Sequence, residues 1–373
     1  MANILQPFFY GMNSLEYFGG VQGISLQFHI TAECDQSCKH CYMYNSPYYQ
    51  SQINNPMNKE TMFSLLDEYF AFLGEYKCHG FVVLSGGDPI LSPYFWDVLE
   101  HIHLHYRDRC GVALMGNPYH ITRSNARKMK TLGVEQYQIS LDGLRATHDY
   151  LRKPGSFDAS MKAMKILYEA GIVTIVSFTV SKLNAGELIP LYDYLKNKDF
   201  VTGFGFDRMI PTGNGAKIKD DIFTAQEYRE FLFNVLKHEI FHNSNLIISK
   251  KEQMWKLLLY ELGLVDPIDT GKKKHFVTGC ECGTGTISVI ADGTVFPCRR
   301  LELAAGRYPD RSFKDIFINN DITKLFRQHD SYKGCSECDA NLVCRGCPAM
   351  KYAVTGDFFG VEPYCWRCNL AEQ

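Results

Sequence analysis

Residues 31–45 read TAECDQSCKHCYMYN and follow directly on an apolar, alternating run, Ile24–Thr31. Cys34, Cys38 and Cys41 stand in a Cys-x3-Cys-x2-Cys spacing. Three thiols so close together can wrap one small inorganic centre, because no long-range folding is needed to gather them. A structural zinc site normally takes four protein ligands. No fourth cysteine is near, and His29 and His40 are the only local substitutes. A [4Fe–4S] cube usually takes four cysteines, so three leave one iron open to a substrate or cofactor. A zinc-binding loop is the alternative.

Outward from this loop the chain alternates. Strand-length apolar runs occur at Ile24–Thr31, Gly80–Leu84, Gly111–Met115, Gln136–Leu141, Val173–Val180 and Gly203–Met209. Helical patterns fall between them near 59–73, 94–106, 123–132, 157–170 and 185–197. Repeated strand–helix alternation predicts an α/β fold with a parallel sheet and helices on its outer face. Six units predict a partial (β/α)6 barrel, with chemistry at the C-terminal ends of the strands. Side chains alternate across a strand, so Leu26, Phe28 and Ile30 share one face and Gln27, His29 and Thr31 the other. In the fourth strand Tyr137, Ile139 and Leu141 oppose Gln138, Ser140 and Asp142. A polar inward set suits a cavity. Thr224 and Glu227 form a capping-box pattern opening a helix to about Phe241, and another helix is expected near 251–262. From about residue 278 the texture turns to short strands, turns and cysteines. The expected division is an N-terminal extension at 1–22, the barrel at 23–215, a helical bridge at 216–277 and a cysteine-rich domain at 278–373.

The cysteine loop resembles the radical S-adenosylmethionine (SAM) superfamily, whose signature is Cys-x3-Cys-x-aromatic-Cys after the first barrel strand. His40 occupies the aromatic slot. Further segments carry the resemblance. Ser85–Pro89 reads SGGDP after the second strand, and the resemblance implies that Gly86, Gly87 and Asp88 meet the SAM amino group. Glycines at a strand end also let a ligand approach the backbone. Residues 139–143 read ISLDG, which implies ribose contacts from Ser140 and Asp142. Arg152 resembles a residue near the SAM carboxylate; Thr179 and Arg208 are further candidates. The implied chemistry is reductive cleavage of SAM to methionine and a 5′-deoxyadenosyl radical. No general acid or base is assigned.

Nine more cysteines lie between 280 and 368. They run Cys280-x-Cys282, Gly293-x4-Cys298, Cys335-x2-Cys338-x5-Cys344-x2-Cys347 and Cys365-x2-Cys368. Paired Cys-x2-Cys would also suit zinc ribbons. The region resembles the SPASM domain, which binds two auxiliary [4Fe–4S] clusters. It departs from that pattern in having two rather than three residues between Cys344 and Cys347. The resemblance implies one ligand set of Cys280, Cys282, Cys298 and Cys347 and another of Cys335, Cys338, Cys344 and Cys365. Glu362–Cys365, EPYC, favours Cys365 over Cys368 as a ligand, leaving Cys368 or else Cys280 as the spare thiol. The cofactors implied are SAM and three [4Fe–4S] clusters. The remaining cysteines, Cys78 and Cys110, read as ordinary buried residues.

The chain has 373 residues, 46% hydrophobic and 21% charged, with net charge −2. No global basic field draws it to nucleic acid. The one basic run, Lys272–Lys274, reads as a solvated loop. No apolar stretch is long enough for a bilayer, and no signal peptide is expected, so a cytoplasmic location follows. SPASM proteins mostly modify peptides or proteins. The leading expectation is a ribosomally made precursor peptide altered by crosslink, thioether, epimerisation or decarboxylation. It could be held at an exposed strand edge of the open barrel. Only 33 residues precede Cys34, too few for the separate leader-binding domain some relatives carry, which weighs against the peptide expectation without excluding it. The alternatives are a sulfatase-type formylglycine maturase and a tetrapyrrole side-chain decarboxylase, the latter suggested by Cys298–Leu301, CRRL, and Pro211–Gly213, PTG. A flavodoxin or ferredoxin is the expected low-potential electron donor.

Overall fold

The computed structural model describes residues 23–242, 247–249, 252–264, 279–328, 331–341 and 343–369. The expected N-terminal extension and Lys272–Lys274 lie outside the described residues.

The strands are β1 (Gly23–Thr31), β2 (His79–Gly86), β3 (Cys110–Met115), β4 (Val134–Ser140), β5 (Val173–Val180), β6 (Gly203–Arg208), β7 (Ile247–Ser249), β8 (Thr286–Val289), β9 (Thr294–Phe296) and β10 (Gly306–Arg307). They form one sheet ordered β10-β9-β8-β1-β2-β3-β4-β5-β6-β7. The pairings from β8 through β1 to β7 are parallel; β9 and β10 add antiparallel strands. The sheet is a parallel core that does not close, as a partial barrel requires. Every strand expected from the sequence is present.

The core forms where the apolar faces of the strands meet the helices. Leu26 and Phe28 of β1, Val82 and Leu84 of β2, Tyr137 and Ile139 of β4 and Phe178 of β5 are fully enclosed. Burying each such side chain stabilises the fold by about 1.5–3 kcal/mol. The helix Lys59–Glu75 is fixed on β1 and β2 by Tyr69, whose hydroxyl donates to the Ile24 carbonyl and accepts from the Phe81 amide at 3.1 Å. The capping box opens the helix Ala225–His242: the Thr224 amide donates to Glu227 Oε2 at 2.7 Å and the Glu227 amide to Thr224 Oγ1 at 3.3 Å. Cys78 and Cys110 are half-buried against the core rather than enclosed.

Two features depart from expectation. The cysteine-rich region is not a separate layer: Ser25–Phe28 of β1 pair with Thr286–Val289 of β8. β7 likewise covers β6, Gly203–Gly205 pairing with Ile247–Ser249. Both edges of the six-stranded core are therefore covered over part of their length, and the free edges of the sheet pass to β10 and β7. An open edge presents unpaired N–H and C=O groups, and over the paired stretches the protein satisfies them itself.

Candidate functional site

The cysteine loop leaves β1 at the C-terminal end of the sheet. Its path is locked by β2. The Gly87 amide donates to the Thr31 carbonyl at 3.0 Å and the Asp88 amide to the Glu33 carbonyl at 2.8 Å. At Gly86, with φ +138°, a Cβ would stand 2.0 Å from the Thr31 carbonyl oxygen, and at Gly87 2.0 Å from that of Glu33. The close approach that these glycines permit is that of the protein's own cysteine loop.

Two donors point at the thiols. Asn117 Nδ2 approaches Cys34 Sγ at 3.2 Å and Arg152 Nη1 approaches Cys38 Sγ at 3.7 Å. The Tyr44 amide adds a third contact, to Cys41 Sγ at 3.4 Å. Burial pushes the Cys38 thiol up to about 12. A buried thiol would stay protonated alone, whereas a metal-bound thiolate gains from an amide and a guanidinium aimed at it. The donor set therefore fits an anionic iron–sulfur cluster.

Asp88 is fully enclosed, and neither carboxylate oxygen has a well-formed hydrogen bond; only the backbone amides of Asn117 and Ile90 act on it. Burial raises its carboxyl to about 7. Gly116 makes room for it, since a Cβ there would lie 2.7 Å from Asp88 Oδ1. Beside it, Asp35 accepts from Asn117 Nδ2 at 2.7 Å and pairs with His120 Nε2 at 3.2 Å. An orphaned buried carboxylate costs free energy unless a ligand supplies the missing donors, and a ligand ammonium would do so.

Asp142 plays another part. It is enclosed, accepts from the Thr179 amide at 2.8 Å, and pairs with Arg152 and with His40 Nε2 at 3.2 Å. Burial opposes its ionisation, but Arg152 and His40 overrule it and hold the carboxyl well below the usual range. Its oxygens are taken by protein, so it anchors Arg152 rather than offering itself to a ribose. His40 and Arg152 join this network beside Cys38, with Arg152 Nη2 3.4 Å from His40 Nε2. Thr179 enters through its backbone. Ser140 stands half-buried at the end of β4 opposite Ser177 of β5.

Arg208 is not in this site. It lies on the outer side of β6, where Nε donates to Glu252 Oε2 at 2.9 Å and Nη1 to Glu362 Oε1 at 2.8 Å. Glu362 in turn accepts from the Cys347 amide at 2.6 Å. A buried ion triad thus ties the barrel to the second cysteine region.

That region gathers its thiols in two groups. Cys282 hydrogen-bonds with both Cys280 and Cys298, and the charge of Cys280 acts on Cys347. Cys335 feels Cys365 and Cys338, and Cys344 feels Cys335 and Cys365. Cys368 hydrogen-bonds with Cys365 and lies 3.4 Å from the Gly334 carbonyl oxygen. Buried cations attend these groups: Lys351 Nζ is 3.9 Å from Cys335 Sγ, and Arg345 Nη2 donates to the Cys280 carbonyl at 3.0 Å. The sequence reading missed Asp35, Asn117, His120 and Lys351, and noted Arg299 only within the Cys298–Leu301 stretch. Gly116-Asn117-Pro118 at the end of β3 was the one local signal for any of them.

The chain resembles known proteins along nearly its whole length. Residues 28–195 match the radical SAM superfamily and residues 280–339 an iron–sulfur cluster-binding domain, SPASM. An AdoMet-dependent heme synthase of Methanosarcina barkeri is 29% identical over 90% of this chain and 94% of its own. The mycofactocin maturase MftC of Mycobacterium tuberculosis is 24% identical over 92% of this chain and 82% of its own. Among solved structures, anSMEcpe with bound AdoMet superposes with a TM-score of 0.70 at 19% identity, covering 93% of this chain and 94% of that one. Streptococcus suis SuiB bound to its precursor peptide SuiA gives 0.71 at 14% identity, covering 96% and 78%. These two establish the fold. No helix among the described residues is long and apolar enough to cross a membrane.

Proposed function

The chain is a radical SAM enzyme with a SPASM domain, and from that premise we propose that it oxidatively decarboxylates propionate side chains of a tetrapyrrole. The observation that carries the radical SAM site is Asp88, a buried carboxylate with no cation and no well-formed hydrogen bond, beside three thiols that already receive donors. The finer reading is supported by the heme synthase relative, which aligns across almost the full length of both chains. In this reading Cys34, Cys38 and Cys41 hold the SAM cluster and Asp88 takes the SAM ammonium. Arg152, oriented by Asp142 and His40, faces the cluster and the SAM carboxylate, while Ser140 and Thr179 flank the adenosine. Cys280, Cys282, Cys298 and Cys347 hold one auxiliary cluster; Cys335, Cys338, Cys344 and Cys365 hold the other. The barrel, bridge and SPASM divisions are 23–215, 216–277 and 278–373. When bound, these groups supply a carbon radical that takes one hydrogen atom from the substrate and an acceptor for the electron released as CO2 departs. The substrate changes from R–CH2–CH2–CO2⁻ to R–CH=CH2, losing CO2, one hydrogen atom and one electron.

A peptide substrate is the second reading, supported by the maturase relative. One experiment separates them. The anaerobic holoenzyme, with dithionite and SAM, is given iron coproporphyrin III and, separately, candidate precursor peptides, and products are read by mass spectrometry. Loss of the mass of CO2 plus H2 from each reacting propionate supports the first reading. An untouched porphyrin with a modified peptide replaces it by the second.

A further inference from the structure

Between the two cysteine regions lies a narrow cleft of about 20 Å³ lined by His29, Tyr42, Phe296, Arg299 and Glu302 among others. Tyr42 marks its position: this buried phenol feels both Cys41 of the SAM loop and Cys298 of the auxiliary set. The cleft is therefore where a substrate would lie between the two centres.

Its charges are unequal. Arg300 is neutralised by Asp207, Nη1 to Oδ2 3.0 Å. Arg299 is not: Nη1 rests on Met115 Sδ at 3.2 Å and the guanidinium stands 5.6 Å from the Tyr42 ring, with no carboxylate partner among the described residues. Burial, helped by Arg299, lowers His29 to about 3, so this imidazole is neutral and adds no charge. Glu302, also on the cleft, has its carboxyl raised by burial and makes no ion pair with Arg299. Arg299 acts on His29, both of whose ring nitrogens lack partners, and Ser85 Oγ and Ser288 Oγ on the neighbouring strands are buried and unpartnered too. Three adjacent strands bring them together, His29 of β1 being in register with Ser85 of β2 and its neighbour Gln27 with Ser288 of β8. A half-buried cation without a carboxylate partner, beside unmet hydrogen-bonding groups, is arranged for an anion that can also accept several hydrogen bonds.

We infer that Arg299, with His29 and Ser288, forms a subsite for a substrate carboxylate between the SAM and auxiliary centres. This deepens the tetrapyrrole reading and rests on it for the identity of the acid, of which only the carboxylate tip of one side-chain arm would enter so narrow a cleft. A planar guanidinium can hold the carboxylate through two parallel hydrogen bonds, fixing the carbon beside it for hydrogen abstraction.

The test uses the reconstituted holoenzyme. Arg299 is labelled with phenylglyoxal and the tryptic peptides are quantified by mass spectrometry, in the presence of 3-phenylpropionate or of the isosteric 3-phenylpropionamide. Protection by the acid and not by the amide is expected; equal labelling in the two overturns the subsite, whatever the natural substrate. In parallel, iron coproporphyrin III and its tetramethyl ester are titrated into wild type, Arg299→Met and Arg299→Lys. Arg299→Met should weaken the acid about 10- to 150-fold, as loss of one charge-assisted contact does, and leave the ester unchanged. Arg299→Lys should weaken the acid less. A methionine variant that binds the acid like wild type also overturns the subsite. A wild type that binds neither porphyrin, while the acid still protects Arg299, removes the tetrapyrrole reading and leaves the subsite standing.

Discussion

Replacing Arg208 by methionine tests how the barrel is held to the auxiliary region. Arg208 is 3% exposed and its partners Glu252 and Glu362 are each 1% exposed. The variant leaves two carboxylates buried without their cation, and breaking such a set from one side costs about 3–5 kcal/mol. Each carboxylate keeps backbone donors, the Met254 amide at 2.9 Å for Glu252 and the Cys347 amide at 2.6 Å for Glu362. These bring the expected cost to the lower end, about 3 kcal/mol, or roughly 10²-fold in the ratio of closed to open states. The strain falls on the backbone that carries Cys347, so local opening there should become more frequent. Hydrogen exchange on the anaerobic holoprotein should show protection falling by about that factor in peptides spanning 344–352 and 360–366. The helix Lys59–Glu75, remote from the triad, should be unaffected. An Arg208→Met, Glu252→Gln, Glu362→Gln variant should recover most of the protection, because a neutral set leaves no charge unpaired. Unchanged exchange in Arg208→Met would refute the claim that this triad joins the two regions.

Replacing Cys34, Cys38 and Cys41 together with alanine should remove about a third of the iron from a protein reconstituted to about twelve irons, and abolish 5′-deoxyadenosine formation. Continued formation of 5′-deoxyadenosine would remove the SAM cluster from this loop. Asp88→Asn should weaken SAM binding about 10- to 150-fold in equilibrium dialysis while leaving iron content intact, since it deletes the charge facing the ammonium; unchanged affinity would place the amino group elsewhere. Lys351→Met should lower the midpoint potential of an auxiliary cluster by about 59 mV or more, a tenfold change in its reduced-to-oxidised ratio, while Lys351→Arg preserves it. Redox titration followed by electron paramagnetic resonance reads both, and a potential indifferent to Lys351 would show that this amino group does not tune the cluster.

Local pattern was enough for a good part of this molecule. The Cys34–Cys41 loop is confined to eight residues. The strand faces repeat every two residues, and the Thr224–Glu227 box spans a single helical turn. Such features are legible because the residues that make them are neighbours in the chain. The same holds for the Cys-x2-Cys pairs, although not for which thiols join which group.

What surrounds the cysteines was decided by contacts between distant segments. Asn117 reaches Cys34 from 83 residues away and Arg152 reaches Cys38 across 114. Arg208 finds Glu362 at a separation of 154, and Arg299 finds Met115 at 184. Asp142 looked like a ligand contact in the sequence and proved to be an anchor for Arg152, because burial beside a guanidinium and His40 fixed its partners. Arg208 sat on a promising strand, yet the side of the sheet it faced placed it in the triad. The pairing of β8 with β1, which covers part of that edge, joins segments 261 residues apart through backbone groups common to every residue. Backbone pairing carries no side-chain signature, so the sequence alone set the elements and the cysteine loop, while the packed sheet decided which polar groups were satisfied and which were left facing the cleft.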